Sequence, residues 1–118
     1  FTARDLQRKL RAEGLPWELC KGFDGSAALG KWLPIERFRS VDALHFHLDQ
    51  NGKTVQEGCT SDLLFKVDEL VAYISRFFTL KTGDLIYTGT PVGVGPVVIG
   101  DLLEGYLEDQ KVLEVRCK

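Results

Sequence analysis

Between Thr79 and Asp101 the chain reads TLKTGDLIYTGTPVGVGPVVIGD, and this stretch constrains the backbone more than any other. Glycine visits conformations that other residues resist, while proline fixes φ and removes an N–H donor. An apolar strand candidate, Asp84-Leu-Ile-Tyr87, runs into Thr88-Gly-Thr-Pro91 and then Gly93-Val-Gly-Pro96. The pattern predicts a strand that ends in a loop of defined conformation, with the hydroxyls of Thr88 and Thr90 at its mouth. On these residues alone the segment reads equally well as a tight connection between strands.

Composition narrows the class. The chain has 118 residues, 44% hydrophobic and 27% charged, with a net charge of −2. That is the profile of one ordinary soluble globular domain. The charges are interspersed, so nothing points to nucleic acid. No apolar run approaches the roughly 20 residues that span a bilayer. Cys20, Cys59 and Cys117 are widely spaced and odd in number, which predicts reduced thiols in a cytoplasmic compartment. Zinc spacing, a GxxxxGK[ST] phosphate loop and a GxSxG elbow are all absent. Gly93-Val-Gly95 lacks the third glycine and helix of a dinucleotide fingerprint.

Along the chain, Thr2 is predicted to cap a helix from Ala3 to about Glu13, with Leu6 and Leu10 on one face and Gly14 as its stop. By periodicity Arg4 and Gln7 read as solvated helix surface. Gly14 to Pro34 reads as loop, with Lys21 inside it and Trp17, Phe23 and Trp32 as loop packing. Val41 to Glu57 reads as a hairpin turning at Asn51-Gly52. His45 and His47 share one face of its first strand, a polar sheet face rather than a metal site, because no third ligand is evident. Val67 to Phe78 is predicted to be an amphipathic helix whose apolar face is core. Leu102 to Leu107 and Val112 to Cys117 read as a closing hairpin around Glu108–Lys111.

Three separated motifs, Thr2-Ala-Arg-Asp-Leu-Gln7, Gly14-Leu-Pro-Trp17 with Lys21-Gly-Phe-Asp24, and TGDLIYTGTPVGVGPV, resemble those of the fumarylacetoacetate hydrolase family. The likeness covers essentially all 118 residues and corresponds to the C-terminal portion of that family's catalytic domain, with the N-terminal part absent. In the family an acidic metal ligand stands immediately before the position matching Phe1. The resemblance implies an α+β fold, a mixed β-sheet roll with a few helices. It implies a metal-dependent hydrolase that cleaves a carbon–carbon bond in small diketo acids, of acylpyruvate or fumarylpyruvate type, through an enolate. An oxaloacetate decarboxylase or a hydroxymuconate-type diacid isomerase would share that enolate. A non-catalytic β-rich module is the reading from another class.

The resemblance further implies Mg²⁺ or Mn²⁺ as cofactor, with ligands upstream of these residues and none among them, and a cytoplasmic homodimer without nucleic-acid or membrane partners. It assigns Lys21 and Gln7 to catalysis, steadying oxyanion charge. Arg4 and Thr90 hold the substrate, a task for which the planar arginine fork suits a carboxylate. All four would face one pocket.

Overall fold

The computed structural model describes residues 1–118, which divide into two compact units, Phe1–Gly30 and Lys31–Lys118. The first unit holds helices α1 (Arg4–Ala12) and α2 (Glu18–Lys21). The apolar spacing predicts α1, and Leu10 is buried on it. Gly14 closes the helix as expected, since the N–H groups of Gly14 and Leu15 return to the carbonyls of Arg11 and Leu10. The start differs from expectation. Ala3, not Thr2, occupies the cap position, and no side chain caps the helix. α2, unexpected in a stretch read as loop, centres on Cys20. That side chain is fully buried, and its thiol donates to the Trp17 carbonyl at 3.0 Å.

The second unit is built on one four-stranded sheet of order β2-β1-β3-β4, with β1 His45–Gln50, β2 Lys53–Cys59, β3 Leu102–Leu107 and β4 Gln110–Arg116. The fold is thus α+β, and every ladder within these residues is antiparallel. The first hairpin turns where Asn-Gly predicts, with φ of 54° at Asn51 and 77° at Gly52, the left-handed pair a two-residue hairpin turn needs. The closing hairpin turns one step more tightly than expected, because Glu108 accepts a left-handed φ of 49°. Its carboxylate oxygen accepts the His45 N–H at 2.8 Å, so the strained residue is anchored to β1.

Each hairpin carries a bulge. In the first, Leu48 pairs with Gln56 and Asp49 with Thr54, so Val55 is the extra residue. In the second, Val112 is extra, and its carbonyl accepts the Lys31 N–H at 2.6 Å. Bulges turn backbone groups away from the ladder, and here they turn them toward other segments.

Two predicted elements are corrected. Asp84–Tyr87 is not a strand but irregular backbone, because no ladder partner lies beside it in this chain. Helix α3 (Val67–Ser75) forms, yet its apolar face is not core. Val67, Leu70 and Ile74 are half-buried, while Val71, Phe77 and Phe78 are exposed. No helix or strand of the chain packs broadly on α3. Trp32, expected to pack in its loop, is 71% exposed. Leu103 is the one large apolar side chain that the second unit buries fully.

The glycine-rich segment is held by hydrogen bonds more than by burial. At its end the Asp101 carboxylate accepts from Gln50 Nε2 (2.6 Å), Asn51 Nδ2 (2.8 Å) and Val98 N (2.9 Å). The Val98 N–H, then the Asn51 and Gln50 amides, hold its carboxyl below the ordinary value near 3.8 against the opposing effect of desolvation. A carboxyl whose folded pKa lies below its unfolded one stabilises the fold fully above the unfolded value and loses that contribution as pH falls through the folded one. Asp101→Asn would turn an amide NH₂ toward groups that are themselves donors. We expect a lower melting temperature for Asp101→Asn at neutral pH, and a difference from wild type that shrinks below pH 4. Thermal unfolding across pH would show it, and an equal difference at every pH would refute the assignment.

Candidate functional site

In the first unit the start of α1 and the end of α2 are drawn together. The Ala3 N–H donates to the Cys20 carbonyl at 3.0 Å. One residue on each side, Lys21 Nζ donates to Thr2 Oγ1 at 2.9 Å. Thr2, read from the sequence as a helix cap, is instead the partner of the lysine ammonium. The two are 19 positions apart, so no local pattern could reveal the contact.

Arg4 and Gln7 sit in the first turns of α1, three residues apart and therefore neighbours on its surface. Arg4 Nη1 donates to Gln7 Oε1 at 2.6 Å. Arg4 is exposed, but Gln7 is only 8% exposed, so the solvated-surface reading of Gln7 is overturned. Burying an amide is costly unless it is bonded, and Arg4 satisfies its oxygen. The Gln7 NH₂ end takes no protein acceptor.

These bonds leave a consistent polarity. Arg4 and Lys21 form no ion pair; the chain's pairs are Lys66–Asp42 and Lys111 with Glu104 and Glu114. Each acceptor oxygen in the group, on Gln7 and Thr2, is already used within the protein. What remains on offer is a guanidinium, an ammonium and an amide NH₂. Such a set binds an anion with oxygen acceptors, because charge-assisted N–H···O⁻ bonds are the strong ones.

Thr90 belongs to the second unit, on the exposed part of the glycine-rich loop. Its hydroxyl accepts from Gln56 Nε2 at 2.9 Å. Lys21, Gln7 and Arg4 are thus assembled in one unit, while Thr90 is placed by the other.

The second unit also has an open concavity of about 710 Å³ lined by His45, His47, Glu57, Cys59, Asp62 and Glu108 among others. It contains none of the candidate residues. His47 is occupied as a ring partner, stacked on Tyr106 with centroids 4.4 Å apart, in keeping with a polar sheet face. The carboxylates around this concavity would repel an anionic substrate. No three His, Cys, Asp or Glu side chains of residues 1–118 come together to hold a cation. A divalent metal would find no such three-donor set within these residues.

The fold agrees with what sequence and structure comparisons find. The sequence model described as Fumarylacetoacetate (FAA) hydrolase C-terminal matches residues 1–118, and the chain belongs to that family. It is 48% identical to the mitochondrial oxaloacetate tautomerase FAHD1 of Arabidopsis thaliana, over all of this chain and 55% of that protein. Among solved structures it resembles the fumarylpyruvate hydrolase of Pseudomonas aeruginosa in complex with Mn²⁺ and pyruvate. The TM-score there is 0.90 and the identity 40%, over 98% of this chain and 50% of that one. It also resembles the 5-carboxymethyl-2-hydroxymuconate delta-isomerase of Mycobacterium smegmatis, with a TM-score of 0.84 and 36% identity over 96% of this chain and 43% of that one. The chain spans about half the length of the curated relatives it matches. Relatives with named activities include hydrolases, isomerases and tautomerases. No helix of the chain is long and apolar enough to cross a membrane.

Cys20 is fully buried next to Lys21 in sequence, so packing there can be tested separately from chemistry. Cys20→Leu overfills a fully buried site and is expected to cost about 1–3 kcal/mol, whereas Cys20→Ser keeps a donor for the Trp17 carbonyl. Chemical denaturation of the two variants compares them, and equal stability would show that the site is loosely packed.

Proposed function

We propose that these residues form the substrate-anchoring half of a divalent-metal-dependent enzyme that acts on small 2-oxo dicarboxylates through their enolate or enol. The observation that carries this is the set of uncompensated donors: Arg4 and Lys21 without carboxylate partners, and the Gln7 amide with only its NH₂ free. Arg4 pairs with a substrate carboxylate. Lys21 faces the 2-oxo oxygen and stabilises the negative charge that develops there, with the Gln7 NH₂ as a second donor. Thr90, described in the other unit, is a hydroxyl donor suited to a carboxylate oxygen of such a substrate. Mg²⁺ or Mn²⁺, if held by side chains outside residues 1–118, would supply Lewis-acid polarisation of the oxo group.

Keto–enol tautomerisation of oxaloacetate is the reading favoured by the 41–48% identity to curated oxaloacetate tautomerases. In it a proton leaves the carbon beside the oxo group and a proton reaches the oxygen, with no net oxidation. Carbon–carbon hydrolysis of an acylpyruvate is the second reading, favoured by the likeness to the fumarylpyruvate hydrolase. Both need the same enolate charge to be held. The exposed apolar side chains, among them Val92 at 87% and Ile99 at 84%, are the surface on which further polypeptide of the same domain, or a second copy, would lie.

The test uses the intact enzyme that carries this chain. Turnover of oxaloacetate enol, followed by its ultraviolet absorbance, is measured beside acetate release from acetylpyruvate, with metal and with chelator. Chelation is expected to abolish turnover. Lys21→Ala is expected to lower kcat by about 10²–10³, the cost of losing one oxyanion donor, and Arg4→Ala to act mainly on KM. Unchanged kcat in Lys21→Ala would sink the role given to the ammonium. Acetate release without enol turnover would move the assignment to the hydrolase.

A further inference from the structure

The loop that carries Thr90 is seated on the edge strand β2 by three neighbouring positions. Gln56 Nε2 donates to Thr90 Oγ1 at 2.9 Å, to the Pro91 carbonyl at 3.1 Å and to the Val92 carbonyl at 3.3 Å. Val55, the bulged residue, directs its carbonyl at Gly93, whose φ is 98° and where any Cβ would collide with that oxygen. A Cβ on Gly58 would touch Pro91 at 3.4 Å. The loop therefore fits β2 only in this seating.

The Gln56 contacts also decide a proton. Two backbone carbonyls, which can only accept, face the amide end of Gln56. Its NH₂ and not its oxygen must point at the loop. The contact with Thr90 is then an N–H donating to Oγ1, which occupies the hydroxyl as an acceptor. The hydroxyl hydrogen has no acceptor on the protein and is left as a donor at an exposed position.

We infer that Gln56 is a positioning residue for substrate binding: by donating to Thr90 Oγ1 it orients the hydroxyl so that its hydrogen is offered to a carboxylate oxygen of the 2-oxo acid. This rests on the substrate-holding role proposed above for Thr90. The two carbonyl contacts help seat the loop, whereas the bond to Thr90 Oγ1 bears on the ligand. Gln56 touches no reacting atom, so its effect falls on KM.

A double-mutant cycle in the intact enzyme tests this, with Gln56→Ala, Thr90→Ala and the pair, each assayed for KM, kcat and melting temperature. Gln56→Ala is expected to raise KM for the 2-oxo acid about tenfold, the scale of one hydrogen bond to a charged group, with kcat changed less than about threefold. The double variant should be no worse than Thr90→Ala alone. Where Gln56→Ala unfolds the loop, seen as a large fall in melting temperature, Gln56→Met keeps the length and the apolar stem and is read instead. A strong Thr90→Ala effect that adds independently to that of Gln56 would overturn the inference and leave the role of Thr90 standing. No KM effect in Thr90→Ala would overturn both, starting with the role of Thr90.

Discussion

The carboxylate of Asp101 is the point at which the first hairpin, the glycine-rich loop and the closing hairpin meet. It binds the last residue of β1 and the turn residue Asn51, and it takes the Val98 N–H of the loop. Asn51 in turn accepts the Leu102 N–H where β3 begins. The backbone of Asp101 continues the tie, since its carbonyl accepts the Cys117 N–H just beyond β4. The end of β1 and its turn, 51 and 50 positions away, are thus tied by one anion to the loop and to the hairpin that follows it. Such an arrangement matters in a unit with so little buried apolar surface, because hydrogen bonds to a charged group are stronger than neutral ones. Directional bonds there take over the positioning that side-chain packing performs in a larger core.

The same economy governs the candidate site. In the first unit Thr2 and Gln7 each have an oxygen that could compete with a substrate for donors, and each is engaged by a neighbour, Lys21 and Arg4 respectively. Acceptors are consumed internally, and donors remain. An anionic ligand is favoured by the residual polarity, and a cationic or purely acceptor-seeking one is not. The acidic concavity over β1 and β2 has the opposite polarity.

Much of the fold was legible because its cues are local. Asn51-Gly52 specifies a hairpin through its own φ preferences, and Leu6, Leu10 and Gly14 specify a helix and its stop through spacing. The errors share a cause as well. Thr2 has the chemistry of a cap, yet it lies beside an ammonium that pattern reading places in a separate loop. Asp84–Tyr87 has the composition of a strand but no partner strand, and composition cannot supply one. The stripe on α3 has the period of a buried face, but periodicity reports only that a face is apolar, not that anything in these residues covers it.

By itself the sequence determined the family to which the chain belongs and the places where the backbone must turn. These follow from motifs and from φ restrictions that act within a few residues. Only the tertiary structure decided that β1 pairs with β3, that Gln7 is buried under Arg4, and that Gln56 governs a hydroxyl 34 positions away. Each of these depends on loop closure over long separations, where many pairings are sterically open and only the summed hydrogen bonding and packing selects one.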